Sequence, residues 1–82
     1  MNIMIKTLKN LKKLIGETYK YNDIICAFED NTEYIIVNDN TCTTMNFDGY
    51  GECKLILAYE NTEDSIEFEI YVDNNGIIVE VV

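Results

Sequence analysis

Residues 53–82 alternate apolar and polar side chains, and this alternation constrains the fold more than any other feature of the sequence. A two-residue period is typical of antiparallel strands that bury one face and expose the other. Short segments rich in Asn, Asp and Gly separate the alternating runs, so two consecutive hairpins are predicted. The predicted buried face consists of Cys53, Leu55, Leu57, Tyr59, Ile66, Phe68, Ile70, Val72, Ile77, Val79 and Val81.

The turns between these strands predict a register. Asn75-Gly76 is a strong hairpin signal, residues 61–64 can form a four-residue loop, and Gly49-Tyr50-Gly51 can form a three-residue loop. Together they predict the pairs Val72 with Val79, Ile70 with Val81, Leu57 with Phe68, Leu55 with Ile70, Met45 with Leu55 and Phe47 with Cys53. These pairs bring the same apolar residues to one face, and this agreement favours the register.

The N-terminal half predicts one helix and three further strands. Residues 2–15 repeat apolar side chains at a helical period, and Gly16 follows as a stop signal. The predicted fold is α+β, a single domain over residues 1–82 in which this helix packs on an antiparallel meander of five or six strands. The predicted strands are residues 22–29, 33–37, 41–47, 53–60, 65–72 and 77–82.

Coverage of the sheet predicts its shape. Six strands spaced by ~4.8 Å form a sheet about 25–30 Å wide, whereas a helix with its side chains is only ~10 Å across. We therefore expect a strongly curved sheet that wraps the helix, with a second copy covering the remainder as the fallback. The hairpin predicted for 22–29 and 33–37 is apolar on both faces, which favours it as the surface of a homodimer.

Charge is distributed unevenly along the chain. The net charge is −9, yet residues 1–20 hold five of the six lysines and Glu17 as their one carboxylate. Residues 21–82 hold Lys54 against fourteen carboxylates. Such an acidic body repels phosphate backbones, so we expect basic protein partners and no direct nucleic-acid binding. The alternative is that acidity only keeps a small protein soluble.

The sequence predicts no catalytic, cofactor-binding or metal-binding residues. It has no His, which excludes Ser-His and Cys-His nucleophile pairs. Cys26, Cys42 and Cys53 form no CxxC pair, which favours reduced cysteines in a cytoplasmic protein. No run approaches the ~20 apolar residues of a membrane span, and no signal peptide is predicted.

An acidic and aromatic surface is the predicted site. Alternation places carboxylates on the polar side of the sheet, where they form a fixed array of negative charge. Tyrosines, which supply contact area at low entropic cost, are expected to be exposed beside them. The predicted partner-binding residues are Asp48, Tyr50, Glu60, Glu67, Glu69, Tyr71 and Glu80.

In size, acidity and helix-plus-small-sheet plan, the whole chain resembles small phage-encoded inhibitor proteins, anti-CRISPR proteins among them. The resemblance implies a non-enzymatic inhibitor that imitates nucleic acid and blocks a basic groove, on a nuclease or another nucleic-acid enzyme, in the host cytoplasm. The alternative function is a small homodimeric structural or accessory protein. Neither function involves a cofactor or a membrane.

Overall fold

The computed structural model describes residues 3–28, 35–39, 44–46, 49, 51–61 and 66–82. Within these ranges the chain is α+β, with two short helices and an antiparallel sheet. The elements are α1 (Ile3–Lys12), α2 (Tyr21–Ala27), β1 (Ile35–Asn38), β2 (Thr44–Asn46), β3 (Glu52–Glu60), β4 (Phe68–Val72) and β5 (Ile78–Val81).

The sheet is four strands across, because β1 and β2 share one edge of β3. The strand order is β1-β3-β4-β5, and β2 pairs with the other end of β3. Asn38 lies opposite Leu57, and Thr44 lies opposite Lys54. Asn38 and Thr44 are six residues apart in the sequence, whereas their partners on β3 are only three apart. β1 and β2 are therefore two separate short strands along one edge of β3. The predicted meander is correct for β3, β4 and β5 and wrong for β1, which pairs with β3.

The prediction of a strand at 22–29 is wrong, because Tyr21–Ala27 is a helix. Ile24, Ala27 and Phe28 are all buried, and their spacing of three and four residues matches one helical face. A short apolar run is ambiguous between helix and strand from its period alone. A helix is favoured here, because its spacing places these three side chains together in the core against the sheet.

Two helices cover one face of the sheet, rather than the one helix that the sequence predicts. α1 packs against β5, α2 packs against β1, and the helices contact each other. Four strands span about 14 Å between their outer axes, and two packed helices of ~10 Å each cover that width. The Asn10 side-chain amide donates a hydrogen bond to the Ala27 carbonyl at 3.1 Å, which fixes α1 to α2.

The core lies between the helices and this face of the sheet. Leu11, Ile24 and Phe28 from the helical layer join one buried cluster. The sheet contributes Ile35, Ile56, Ala58, Phe68, Ile70, Val72, Ile78 and Val81 to the same cluster. The rings of Phe28 and Phe68 meet edge to face, with centroids 5.7 Å apart and an interplanar angle of 75°.

The predicted register between β3 and β4 is wrong by one residue. Ile56 lies opposite Ile70, and Ala58 lies opposite Phe68. A shift of one residue exchanges the two faces of a strand. Ile56 and Ala58 are consequently buried, while Leu55, Leu57 and Tyr59 point to the other side of the sheet and are half-buried. The small Ala58 side chain leaves room for the Phe28–Phe68 pair.

The predicted pairing of β2 with β3 is wrong by two residues. Met45 lies opposite Cys53, not opposite Leu55, and Asn46 lies opposite Glu52. The connection between the paired residues therefore runs from 47 to 51 rather than over three residues. Gly49 and Gly51 within it both have positive φ angles, of 84° and 79°.

The hairpin between β4 and β5 confirms one predicted pair and corrects the other. Ile70 lies opposite Val81 as predicted, but Val72 lies opposite Ile78 rather than Val79. The register shifts by one residue between these pairs. This bulge allows Ile78 and Val81, three residues apart, to point into the core together.

The connector between the helices protects the β5 edge of the sheet. The Gly16 amide donates to the Ile78 carbonyl at 2.8 Å, and the Ile78 amide donates to the Glu17 carbonyl at 2.9 Å. Gly16 has φ of 94°, a left-handed conformation that follows the end of α1 at Lys12. α1 ends three residues before its predicted end at Ile15, which is 40% exposed, and its predicted start at Asn2 lies outside the described residues.

We expect Ile24→Ala to lower the free energy of unfolding by about 2–5 kcal/mol, because it leaves a cavity under α2. Cys26→Ala is the matched control, since Cys26 is exposed and the change should stay within about 0.5 kcal/mol. Urea denaturation measures both. In a strand the two side chains would share a face, so equal losses would contradict the helix.

We expect Gly76→Ala to destabilise the protein by about 1–2 kcal/mol, because Gly76 has φ of 80° and an L side chain is strained there. A Cβ at this position would meet no atom within 4 Å, so the cost comes from the backbone alone. Asn74→Ala in the same exposed turn should change stability by under about 0.5 kcal/mol. Equal thermal stability of the two variants would contradict the left-handed turn.

Candidate interaction surface

The sheet has a second face, opposite α1 and α2, which we call the outer face. Residues directly opposite each other on neighbouring antiparallel strands share a face, so the register identifies its members. Within the described strands and the residue after β5, they are Ile36, Asn38, Cys53, Leu55, Leu57, Tyr59, Glu69, Tyr71, Glu80 and Val82, of which Cys53 is fully buried.

The outer face is divided into an apolar half and an acidic half. Ile36, Leu55, Leu57 and Tyr59 lie on β1 and β3 and are each half-buried. Glu69 and Glu80 lie across the sheet on β4 and β5. The two halves meet along β4, where Glu69 stands between Leu57 and Val82, and Tyr71 stands between Leu55 and Glu80.

Tyr71 holds a carboxylate in place at this boundary. Its hydroxyl donates a hydrogen bond to Glu69 Oε1 at 2.7 Å. That hydrogen bond, followed by burial and the negative charge of Glu69, raises the pKa of Tyr71 to about 12. Tyr71 is only 6% exposed, so the prediction of an exposed contact residue is wrong. It serves as a support that orients Glu69.

The predicted carboxylates do not all share one surface. Glu67 is exposed and precedes β4, two residues from Glu69, where alternation places it on the outer face. Glu80 is half-buried and accepts a hydrogen bond from the Val81 amide at 2.9 Å. Glu60 lies opposite Ile35, a core residue, so it belongs to the helix-covered side. Its predicted place beside Glu67 and Glu69 is wrong.

Two predicted contact residues, Asp48 and Tyr50, lie outside the described residues. The acidic part of the candidate site therefore rests on Glu67, Glu69 and Glu80. Of these Glu67 is exposed, and the other two are half-buried.

Sequence reasoning missed the apolar half of the outer face. It assigned Leu55, Leu57 and Tyr59 to the core, because they alternate along β3 and the predicted turns paired Leu55 and Leu57 with apolar residues. Ile56 and Ala58 form an equally regular alternation, and the sequence holds no clear signal that selects one set. The pairing of Ile56 with Ile70 and of Ala58 with Phe68 makes that selection, because Phe68 and Ile70 pack in the core.

Cations lie on the opposite side of the molecule from these carboxylates. Lys9, Lys12 and Lys13 are exposed on α1 or in the turn that follows it. α1 packs its buried Thr7 and Leu11 toward the sheet, so these lysines project away from the outer face. The fold thus separates a basic helical layer from an acidic half-face, instead of mixing the two signs.

Other chemistry-bearing groups form no cluster. Among the described residues, no three His, Cys, Asp or Glu side chains are placed to hold a metal ion. Burial raises the pKa of the Cys53 thiol, and the charge of Asp73 adds to the shift. Burial likewise raises the pKa of Tyr19, whose hydroxyl has no hydrogen-bond partner among the described residues. In the same described part of the chain, neither helix has the length and apolar character to cross a membrane.

Comparison with known proteins identifies no relative. No protein-family model matches the chain, and no curated protein or solved structure matches it. The function is therefore argued from the outer face.

We expect Glu69→Gln to lower the pKa of Tyr71 from about 12 toward its ordinary value of 10.0, because the variant removes the charged acceptor. Glu80→Gln is the matched control and should leave that pKa near 12. The ring-carbon NMR signal of Tyr71, followed against pH, measures both. A pKa near 10 in the unaltered protein would contradict the hydrogen bond.

The sign of this shift predicts how stability depends on pH. The folded pKa of Tyr71 is raised, so the folded state holds its proton more tightly than the unfolded state. The stabilisation is complete below about pH 10 and is lost as pH rises toward about 12. Tyr71→Phe should therefore flatten the decline of stability over this interval.

Proposed function

We propose that this chain is a non-enzymatic interaction protein that binds a basic groove on a nucleic-acid enzyme and excludes the nucleic acid. The acidic half of the outer face is the binding surface, with Glu67, Glu69 and Glu80 as its anions. The observation that carries the proposal is the separation of these carboxylates from the lysines of α1. The outer-face carboxylates and the exposed lysines of α1 lie on opposite sides of the sheet, so a partner rich in Lys and Arg can meet the former without the latter.

Electrostatic complementarity supports this function in two ways. A net charge of −9 attracts a basic surface from a distance and speeds encounter. The local arrangement then orients the complex, because the exposed lysines of the helical layer are repelled by the same partner. Support of Glu69 by Tyr71 reduces the entropy lost when the carboxylate binds.

The shape of the sheet is part of the proposal. The strong curvature that the sequence predicts would bend the sheet toward its helices and make the outer face convex. A convex acidic face is the form that enters a groove made for a nucleic-acid backbone. This mode of action is the one implied by the resemblance to phage-encoded inhibitors such as anti-CRISPR proteins, which act in the host cytoplasm.

The alternative function is a homodimeric accessory protein, but the hairpin predicted as its dimer surface is not formed. It depended on a hairpin between 22–29 and 33–37 with two apolar faces. Residues 21–27 are helical, and Ile35 is 8% exposed within the core beneath α2. A second copy could still cover the apolar half of the outer face, and the net charge of −9 on each copy opposes that association.

We expect the double variant Glu67→Lys/Glu69→Lys to abolish binding to the partner recovered from a host lysate, and to restore DNA binding by that partner. Glu17→Lys/Glu52→Lys is the matched control, because it makes the same change in net charge at exposed sites away from the outer face. Affinity of the unaltered protein should fall about tenfold or more as salt rises from about 50 to about 500 mM. Equal affinity of the two double variants, or binding that is insensitive to salt, would sink the proposal.

A further inference from the structure

Resting on the proposed function, we infer that the outer face recognises a basic amphipathic helix of its partner, with an apolar side on β1 and β3 and a basic side on β4 and β5. A surface that only imitated a phosphate backbone would need anions across its whole width. Here the carboxylates occupy one half, and Ile36, Leu55, Leu57 and Tyr59 occupy the other.

The dimensions of the two halves fit one helix. Neighbouring strands are ~4.8 Å apart, so β3 and β5 are separated by about 10 Å, which is the diameter of a helix with its side chains. Along β3, Leu55 and Leu57 are about 7 Å apart. Side chains one turn apart on a helix are about 5–6 Å apart. A helix lying along the strands thus places an apolar stripe over Leu55 and Leu57.

Burial indicates which side chains act as the contacts. Leu55, Leu57 and Tyr59 are half-buried, so each retains apolar surface that a partner can cover. Val82 is 58% exposed and lies opposite Glu69, so it offers a separate apolar contact within the acidic half. Glu69 and Glu80 are also half-buried, which strengthens their attraction to a cation beyond that of fully solvated carboxylates.

Charge and burial favour a helix of a different protein over a helix of a second copy of this chain. A second copy of this chain offers one basic helix, α1, but the apolar side of α1 is occupied, because Leu11 is fully buried in the core. Two copies would also bring together bodies of net charge −9. A basic helix from a different protein meets neither obstacle.

The test uses synthetic helical peptides as probes. The first is an eighteen-residue peptide of leucines and lysines with its leucines on one side. The second has the same composition with the leucines scattered around the helix, and the third replaces the leucines with alanine. We expect the first to bind about tenfold more tightly than the other two, with amide NMR shifts at β3 and β4.

Substitutions separate this inference from the proposed function. Leu57→Asn should weaken binding of the first peptide about tenfold and leave the weak binding of the alanine peptide unchanged. Leu55→Asn repeats the test in case one variant unfolds, and circular dichroism checks the fold of each. Glu69→Gln/Glu80→Gln should weaken binding of all three peptides and reduce its salt dependence.

Each other outcome overturns the inference in a recognisable way. Equal affinity for the three peptides, with Leu57→Asn silent and the Glu variants impaired, would refute the helix and leave the proposed function standing. No binding of any basic peptide at millimolar concentration would refute both. Dimerisation of the chain without peptide, abolished by Leu57→Asn in sedimentation experiments, would make a second copy the occupant.

Discussion

The pairing of Ile56 with Ile70 across β3 and β4 decides what each side of the sheet presents. Because side chains alternate, this single register directs Ile56, Ala58, Phe68 and Ile70 toward the helices. It directs Leu55, Leu57, Glu69 and Tyr71 to the outer face at the same time. Both the core and the candidate surface therefore depend on one choice of register, and a slip of one residue would exchange them.

The core explains why this register is stable although it leaves larger apolar side chains outside. Phe68 and Ile70 must face inward, since the opposite choice would bury Glu67 and Glu69, and burial of unpaired carboxylates is costly. β3 then follows β4. Ala58, opposite Phe68, is small enough to admit the edge of Phe28, so two helices and four strands close around the aromatic pair. The outer leucines are the consequence.

The sequence predicted the parts of the structure that local chemistry determines. The alternation of Phe68, Glu69 and Ile70 and the Asn75-Gly76 turn have local causes, and the structure contains both. Ile66, which the alternation assigned to the core, is 46% exposed, and α1 ends at Lys12, before the predicted stop at Gly16. Tertiary packing decided the rest. The sequence of α2 is compatible with a strand, and its helical form is selected because Ile24, Ala27 and the following Phe28 pack together in the core. The β3 register likewise depends on the packing of Ile56 and Ala58 with Phe68 and Ile70. The anions at Glu67, Glu69 and Glu80 were predicted from alternation, whereas the apolar half needed the register.

The lysines of α1 and the carboxylates of the outer face lie on opposite sides of the sheet, so the two sides of the molecule differ in charge. The lysines follow α1, and α1 is held against β5 by the connector that caps the sheet edge through Gly16 and Glu17. The carboxylates of Glu69 and Glu80 lie on β4 and β5, on the other side of the sheet. Secondary-structure packing therefore fixes on which side of the sheet each sign of charge lies, and this arrangement would steer a basic partner of the proposed kind to the outer face.

The most direct test of this account is the set of nuclear Overhauser contacts between side-chain methyl groups of the helical layer and those of β3. The account predicts contacts from the methyl groups of Leu11 and Ile24 to the core methyl groups that include Ile56 and Ile70, with Leu55 and Leu57 absent from that network. Contacts from Leu11 or Ile24 to Leu55 and Leu57, with Ile56 exposed, would show the other register and would contradict both the core and the outer face described for this protein.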